Sequence, residues 1–230
     1  MEIVKLKAGE SPTSALSNAV NILRQDGVVC LPCNGTYRLF ADVNSESAVM
    51  RLIQSKRRVK KAPSLVFVDE VGTLHRVVDD VSPLESALMK ELWPSPLTIR
   101  FKASKKLPRK VVKELTKATG KVGVRVPQSP LSHKVVQSFG GPLLVSSANR
   151  GTKGGERSPA QVRQNFLGRI DFFLDAGDLK EVPSSTVVDV KKDRVKIVRQ
   201  GLVPKIAIDV VVEAATGGGG GALVNGASGY

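Results

Sequence analysis

Apolar residues recur at spacings of three and four through "TSALSNAVNILRQ" (13–25), where Ala15, Leu16, Ala19, Val20 and Leu23 share one face and the following Asp-Gly stops the pattern. That period predicts an amphipathic helix. The continuous apolar run "VVCLP" (28–32) reads as a buried strand, and "SESAVMRLIQSKR" (45–57) as a second amphipathic helix with Ser45 as its cap. "APSLVFV" (62–68) predicts a strand entered through Pro63, and "LESALMKELW" (84–93) a helix stopped by Pro94. "PLTIRFKA" (96–103) and "KVGVRVP" (121–127) predict strands, "LSHKVVQSF" (131–139) a helix, and "PLLVSSAN" (142–149) a strand running into a polar turn. After "SPAQVRQNF" (158–166) come "IDFFLDAG" (170–177), "STVVDV" (185–190) and "VKIVRQG" (195–201), short apolar runs rich in branched residues. Helices and strands thus interleave, which implies an α/β fold with a mixed or partly parallel sheet. No repeat or interior linker divides the pattern, so one domain is expected over residues 1–212, with a flexible Gly-rich tail over 213–230.

Composition changes this picture in one respect. The 230 residues are 41% hydrophobic, enough for a buried core, but 35 Lys and Arg face only 21 Asp and Glu, a formal charge of +14. Such a surface favours an anionic partner: nucleic acid, nucleotide or a membrane surface. No run approaches the roughly 20 apolar residues of a membrane span, and "MEIVKLKAGE" lacks the apolar core of a signal peptide, so a cytoplasmic chain with no membrane partner is expected. Aromatic residues make up 4% of the chain, too few for a single-strand stacking platform, whereas recognition of double-stranded RNA by shape and phosphate stays open. Cys30 and Cys33 are the only cysteines; with no second pair and an apolar setting, reduced packed thiols are expected rather than a disulfide, redox or zinc site.

Two stretches carry candidate chemistry. "SKRRVKKAP" (55–63) gathers Lys56, Arg57, Arg58, Lys60 and Lys61 at a helix end, and "SSANRGTKGGER" (146–157) supplies hydroxyls, an amide and glycines after a strand. A triphosphate could use both: Arg offers a planar fork, Lys a mobile point charge, and Ser, Asn and turn amides fix orientation. The competing reading, which the residues alone favour, is a solvated helix end and an ordinary turn. The lysines of "KASKKLPRK" (102–110) and "VKELTKATGK" (112–121) serve either as an RNA-facing surface or as solubilising charge. No Walker loop, HExxH or G-x-S-x-G motif occurs, and His75 and His133 read as structural or solvated.

Taken in order, "LPCNGTYRLFADV", "AVMRLIQSKRR", "PSLVFV", "LWPSPLTIRF", "VGVRVPQSPL", "GGPLLVSSANRG", "RSPAQV", "STVVDV" and "VKIVRQG" resemble the YrdC-like family, the threonylcarbamoyl-AMP synthases, over roughly residues 12–201. The resemblance implies a single α/β domain with a curved, mixed or largely parallel sheet flanked by helices around a basic cavity. It implies that L-threonine, bicarbonate and ATP, with Mg2+, are joined into threonylcarbamoyl-adenylate with release of pyrophosphate. The product serves tRNA threonylcarbamoyladenosine modification, which brings in tRNA and other modification proteins as partners. By the same resemblance, Lys56, Arg58, Asn149, Arg157 and Arg199 contact ATP or its phosphates, and Arg125, Ser147, Ser185 and the Gly35 position face threonine, with Arg125 on its carboxylate. No covalent nucleophile, organic cofactor or particular metal ligand is implied.

The chain departs from the family pattern P-T-[DE]-T-x-Y-G-L at "PCNGTYRL": Pro32, Tyr37 and Leu39 remain, while Cys33, Asn34, Gly35 and Arg38 replace a threonine, an acid, a hydroxyl-bearing residue and a glycine. Val59 and Ser64 replace a proline and a leucine. A lost hydroxyl leaves its partner unpaired, typically about 1–3 kcal/mol. Arginine in place of glycine either fills space or displaces the backbone. Three outcomes fit: a synthase in which Thr36 or Asn34 supplies the missing contact, an enzyme with altered acceptor use, or a non-catalytic paralogue that binds double-stranded RNA, tRNA or nucleotide.

Overall fold

The first apolar stripe folds as helix α1 (Thr13–Arg24) in the computed structural model, which describes residues 1–7, 9, 11–56, 64–117, 119–150 and 155–217. Six further helices follow: α2 (Glu46–Ser55), α3 (Pro83–Leu92), α4 (Arg109–Thr116), α5 (Pro130–Phe139), α6 (Pro159–Phe166) and α7 (Lys205–Thr216). Their starts obey local rules. Ser45 Oγ accepts from the Ala48 N–H, and Ser82 with Glu85, and Ser158 with Gln161, form capping boxes ahead of a proline in the first turn.

The strands are β1 (Glu2–Lys5), β2 (Val29–Cys33), β3 (Thr36–Asp42), β4 (Leu65–Phe67), β5 (Leu97–Lys102), β6 (Lys121–Arg125), β7 (Leu143–Ser147), β8 (Phe172–Asp175), β9 (Thr186–Lys191) and β10 (Arg194–Arg199). They form one sheet in the order β1-β8-β2-β3-β7-β4-β6-β5-β9-β10. The sheet is mixed, as expected. β1 with β8, β2 with β8, β4 with β6 and β5 with β9 run parallel, and the other five neighbouring pairs run antiparallel.

Helices cover both faces. On one, Leu16, Ala19, Val20 and Leu23 of α1 and Val135 and Val136 of α5 pack on Val29, Leu31, Phe40 and Phe67. On the other, buried side chains of α2, α3, α4, α6 and α7, such as Leu52, Leu88, Leu115, Phe166 and Ile208, pack on Leu39, Val66, Ile99 and Val124. Residues alternate between faces along a strand, and this decides the cysteine question. Cys30 packs with the second group and Cys33 with the first. Lying on opposite faces of β2, the two free thiols cannot close a disulfide, and burial pushes the Cys30 thiol well up.

Five elements, β1, β3, α4, α6 and α7, were not anticipated by the periodicity. β3 is buried on both faces, so its residues do not alternate apolar with polar; α4 hides Val111 and Leu115 under a basic outer face; and α7 follows "LVP" to Thr216, past the expected boundary at 212. Residues 218–230 of the expected tail lie outside the described residues. Among the described residues no helix is long and apolar enough to cross a membrane.

Tyr37 ties β3 to the turn after β8, two strands away in the sheet. Its fully buried hydroxyl donates to Gly177 O at 2.6 Å and accepts from Ala176 N at 3.0 Å, and burial pushes its pKa up, keeping the donor protonated. Tyr37→Phe leaves both backbone groups unpaired. The expected loss is about 1–3 kcal/mol of unfolding free energy, read as a lower urea midpoint; an unchanged midpoint would show that water replaces the hydroxyl.

Candidate functional site

The C-terminal end of β7 and the end of α2 meet at Lys56. This residue is the C-cap of α2 and is 6% exposed, so its ammonium is held inside the protein rather than in solvent. Nζ donates to Ser146 Oγ at 2.6 Å, to Ser147 O and to Asn149 Oδ1 at 3.1 Å. Ser147 Oγ donates to the same Asn149 oxygen at 2.7 Å. Charge-assisted bonds of this kind are the strong ones, and they shape the turn after β7 around a buried positive charge. The fold therefore joins Lys56 to Ser147 and Asn149, residues about 90 positions apart in sequence. Arg58, with Arg57, Val59, Lys60 and Lys61, lies outside the described residues.

A second group forms across β4, β6, β5 and β9. Arg125 ends β6, is 3% exposed, and stacks its guanidinium over Phe67 with 5.4 Å to the ring centroid. Its Nε and one terminal nitrogen donate to Thr98 Oγ1 at 3.2 and 3.1 Å, and that nitrogen also reaches Ser185 Oγ at 2.9 Å. Arg199, at the end of β10, donates to Ser185 O and to Ser185 Oγ at 3.0 Å. One hydroxyl thus sits between two guanidiniums. Burial and then the neighbouring Arg38 pull Arg125 down to about 9, with Arg199 acting in the same direction. Burial and Arg38 lower Arg199 likewise.

Arg157 stands apart. It pairs with Glu181 at 2.6 Å, and at 47% and 79% side-chain exposure such a pair contributes at most about 1 kcal/mol. Three lysines of the basic stretches are also engaged: Lys110 with Glu46, Lys117 with Glu114, and Lys121 with Asp189. His75 faces Gly72 O three residues back in the same 3-10 turn, and His133 on α5 faces Asp69 O across 64 positions of sequence, each a contact to a main-chain carbonyl. Among the described residues no three His, Cys, Asp or Glu side chains gather to hold a metal ion.

Gly35 has a conformational reason to be glycine. With Asn34 it forms the two-residue connection between β2 and β3, where Cys33 pairs with Thr36, and φ is +48° at Asn34 and +72° at Gly35. Paired positive φ values are what a type I′ hairpin requires, and Asn-Gly is the sequence that supplies them most readily. A Cβ at Gly35 would lie 2.5 Å from Lys180 O and 2.8 Å from a Val182 methyl. No hydroxyl-bearing side chain fits there. Thr36 Oγ1 contacts Cys33 O at 3.4 Å.

Sequence reasoning gave no role to Ser146 or Thr98 and left Arg38 open between filling space and displacing the backbone. The first hydroxyl of "SSAN" and the Thr of "PLTIRF" give no signal of their own, because only the fold sets them against Lys56 and Arg125. Arg38 keeps its backbone in register, opposite Leu31 on one side and Ser147 on the other. Substitution for glycine therefore fills space and adds charge without displacing the strand.

Comparison with known proteins agrees with this fold. A family model for Sua5, YciO and YrdC proteins, described as "Telomere recombination", matches residues 21–201. The chain is 31% identical over 163 residues to a threonylcarbamoyl-AMP synthase of Coxiella burnetii, covering 71% of this chain and 86% of that one. It is 27% identical over 194 residues to one of Pyrococcus abyssi, covering 84% of this chain but only 56% of that longer protein. P. abyssi Sua5 solved with L-threonine superposes with a TM-score of 0.80 at 25% identity, over 92% of this chain and 61% of that one. Escherichia coli YciO superposes with a TM-score of 0.75 at 21% identity, over 90% and 98%. From the match over residues 21–201, the chain belongs to the Sua5/YciO/YrdC family.

Proposed function

We propose that the chain is an enzyme that makes an N-carbamoylated amino acid adenylate, with threonylcarbamoyl-AMP as the reference product, in the cytoplasm and in support of tRNA modification. The amine forms an N–C bond to the carbon of bicarbonate with loss of water. An oxygen of the resulting carbamate then attacks the α-phosphorus of ATP, and the bond to pyrophosphate breaks. Lys56 carries this reading: its buried ammonium is locked onto Ser147 and Asn149, the two residues that the resemblance places beside ATP and threonine. A fixed, buried positive charge stabilises charge growing on pyrophosphate, and no nucleophile is needed. Arg199 and Arg125 supply further anion anchors, and Mg2+ enters as part of the MgATP substrate.

Incubating the full chain with MgATP, bicarbonate and an amino acid tests this directly. Pyrophosphate should appear together with a carbamoyl-adenylate detectable by mass. Failure to release pyrophosphate above background with any amino acid removes the enzyme reading.

A further inference from the structure

Three guanidiniums of the site converge without a carboxylate. Arg125 and Arg199 both donate to Ser185 Oγ, at 2.9 and 3.0 Å; Arg38, two residues before Phe40 on β3, projects from the sheet face that carries Phe40 and Phe67, the ring on which Arg125 stacks, and acts electrostatically on both arginines. Among the described residues none of the three is in an ion pair, although eight other Lys or Arg side chains are. Arg38 Nε is enclosed and has no hydrogen-bond partner there. Of the three, Arg125 is buried, Arg38 half-buried and Arg199 exposed; a buried cation is ordinarily paired, and an enclosed donor such as Arg38 Nε ordinarily has an acceptor. The surrounding neutral groups, the hydroxyls of Thr98 and Ser185 and the face of Phe67, orient these cations without neutralising them.

We propose that Arg38, Arg125 and Arg199 form an acceptor pocket selective for an amino acid bearing a second acidic group, and that Arg38 is the residue setting this selectivity. The proposal rests on the enzyme reading above and narrows its substrate. Threonine brings one carboxylate; in any state of its amine, an acidic amino acid brings one negative charge more. Two anionic groups can occupy a three-guanidinium site with bidentate geometry, one on Arg125 and the other on Arg38. At Gly35, where a threonine-facing hydroxyl is implied, the hairpin leaves no side chain to favour threonine. The covalent step is unchanged, because the second acid takes no part in forming the N–C bond or releasing pyrophosphate.

The test is calorimetry of the full chain with MgATP against L-aspartate, L-glutamate, O-phospho-L-serine, L-threonine and inorganic phosphate, with pyrophosphate release followed in parallel with bicarbonate present. At least one acidic amino acid should bind tenfold or more tightly than threonine, with the carboxylate and phosphate arms identifying the second acid. Arg38→Gln keeps most of the volume and should reduce that preference to less than threefold; Arg38→Gly is the second variant, and thermal melts identify any that fails to fold. Equal binding of threonine, an unchanged preference in a folded Arg38 variant, or phosphate binding as tightly as any amino acid overturns the proposal. Acidic amino acids bound tenfold more tightly, but without pyrophosphate release, would uphold the pocket and remove the enzyme reading instead.

Discussion

Lys56→Met should weaken MgATP binding by about a hundredfold, equivalent to about 2.7 kcal/mol, and should bring adenylate synthesis to background. The argument starts from what surrounds the ammonium. Ser146 Oγ, Ser147 O and Asn149 Oδ1 accept from it, and the residue is buried. Methionine keeps the length of the stem but removes the charge and all its protons. Three acceptors then lose a partner, and the turn after β7 loses the bond that fixes Asn149, on which Ser147 Oγ also depends. Stability should fall by about 2–4 kcal/mol, since unsatisfied buried groups cost on the order of 1–3 kcal/mol each and part of the loss is recovered by relaxation.

Lys56→Arg separates the charge from its geometry. A planar fork cannot reproduce a point donor enclosed by acceptors on several sides, so the arginine variant should keep part of the nucleotide affinity and lose most of the stability that methionine loses. Calorimetry with MgATP and urea denaturation on the same preparations check both parts. Wild-type affinity in a folded Lys56→Met would mean that Lys56 only builds the turn and that the phosphates are held elsewhere.

The helices α1, α2, α3 and α5 were readable because each puts apolar residues on one face and begins or ends at a residue with a local reason to be there, such as Ser45 or Gly140. β3 was not, because a strand packed on both sides carries no alternation: Tyr37 and Leu39 enter one core and Phe40 the other. The Asn34-Gly35 pair that makes its hairpin lies within the stretch that resembles the family's substrate motif. Lys56, Arg125, Ser147 and Asn149 could be named from motifs, yet their mutual roles could not. Nothing along the chain says that Arg125 and Arg199 share the Ser185 hydroxyl, or that Ser146 Oγ accepts a hydrogen bond from Lys56. The first arises from strand order, which brings β6, β5, β9 and β10 side by side, and the second from the end of α2 meeting the end of β7.

Gly35→Thr restores the hydroxyl-bearing residue that the family pattern carries, and it should destabilise the protein without creating a threonine site. A β-branched residue at φ +72° is strained by about 1–2 kcal/mol from the backbone alone. Its Cβ would also lie 2.5 Å from the carbonyl oxygen of Lys180, a main-chain atom that cannot rotate aside. Overpacking of that kind adds about 1–3 kcal/mol, so a loss of about 2–5 kcal/mol is expected in urea denaturation. Gly35→Ala should lose slightly less, and Asn34→Gly should be nearly neutral, because φ at 34 is already positive and glycine adopts it at no steric cost. If Gly35→Thr instead folded with wild-type stability and bound threonine, the Lys180–Val182 segment would have to move readily. The hairpin would then be an adaptable part of the acceptor pocket, and the selectivity assigned to Arg38 would have to be shared with it.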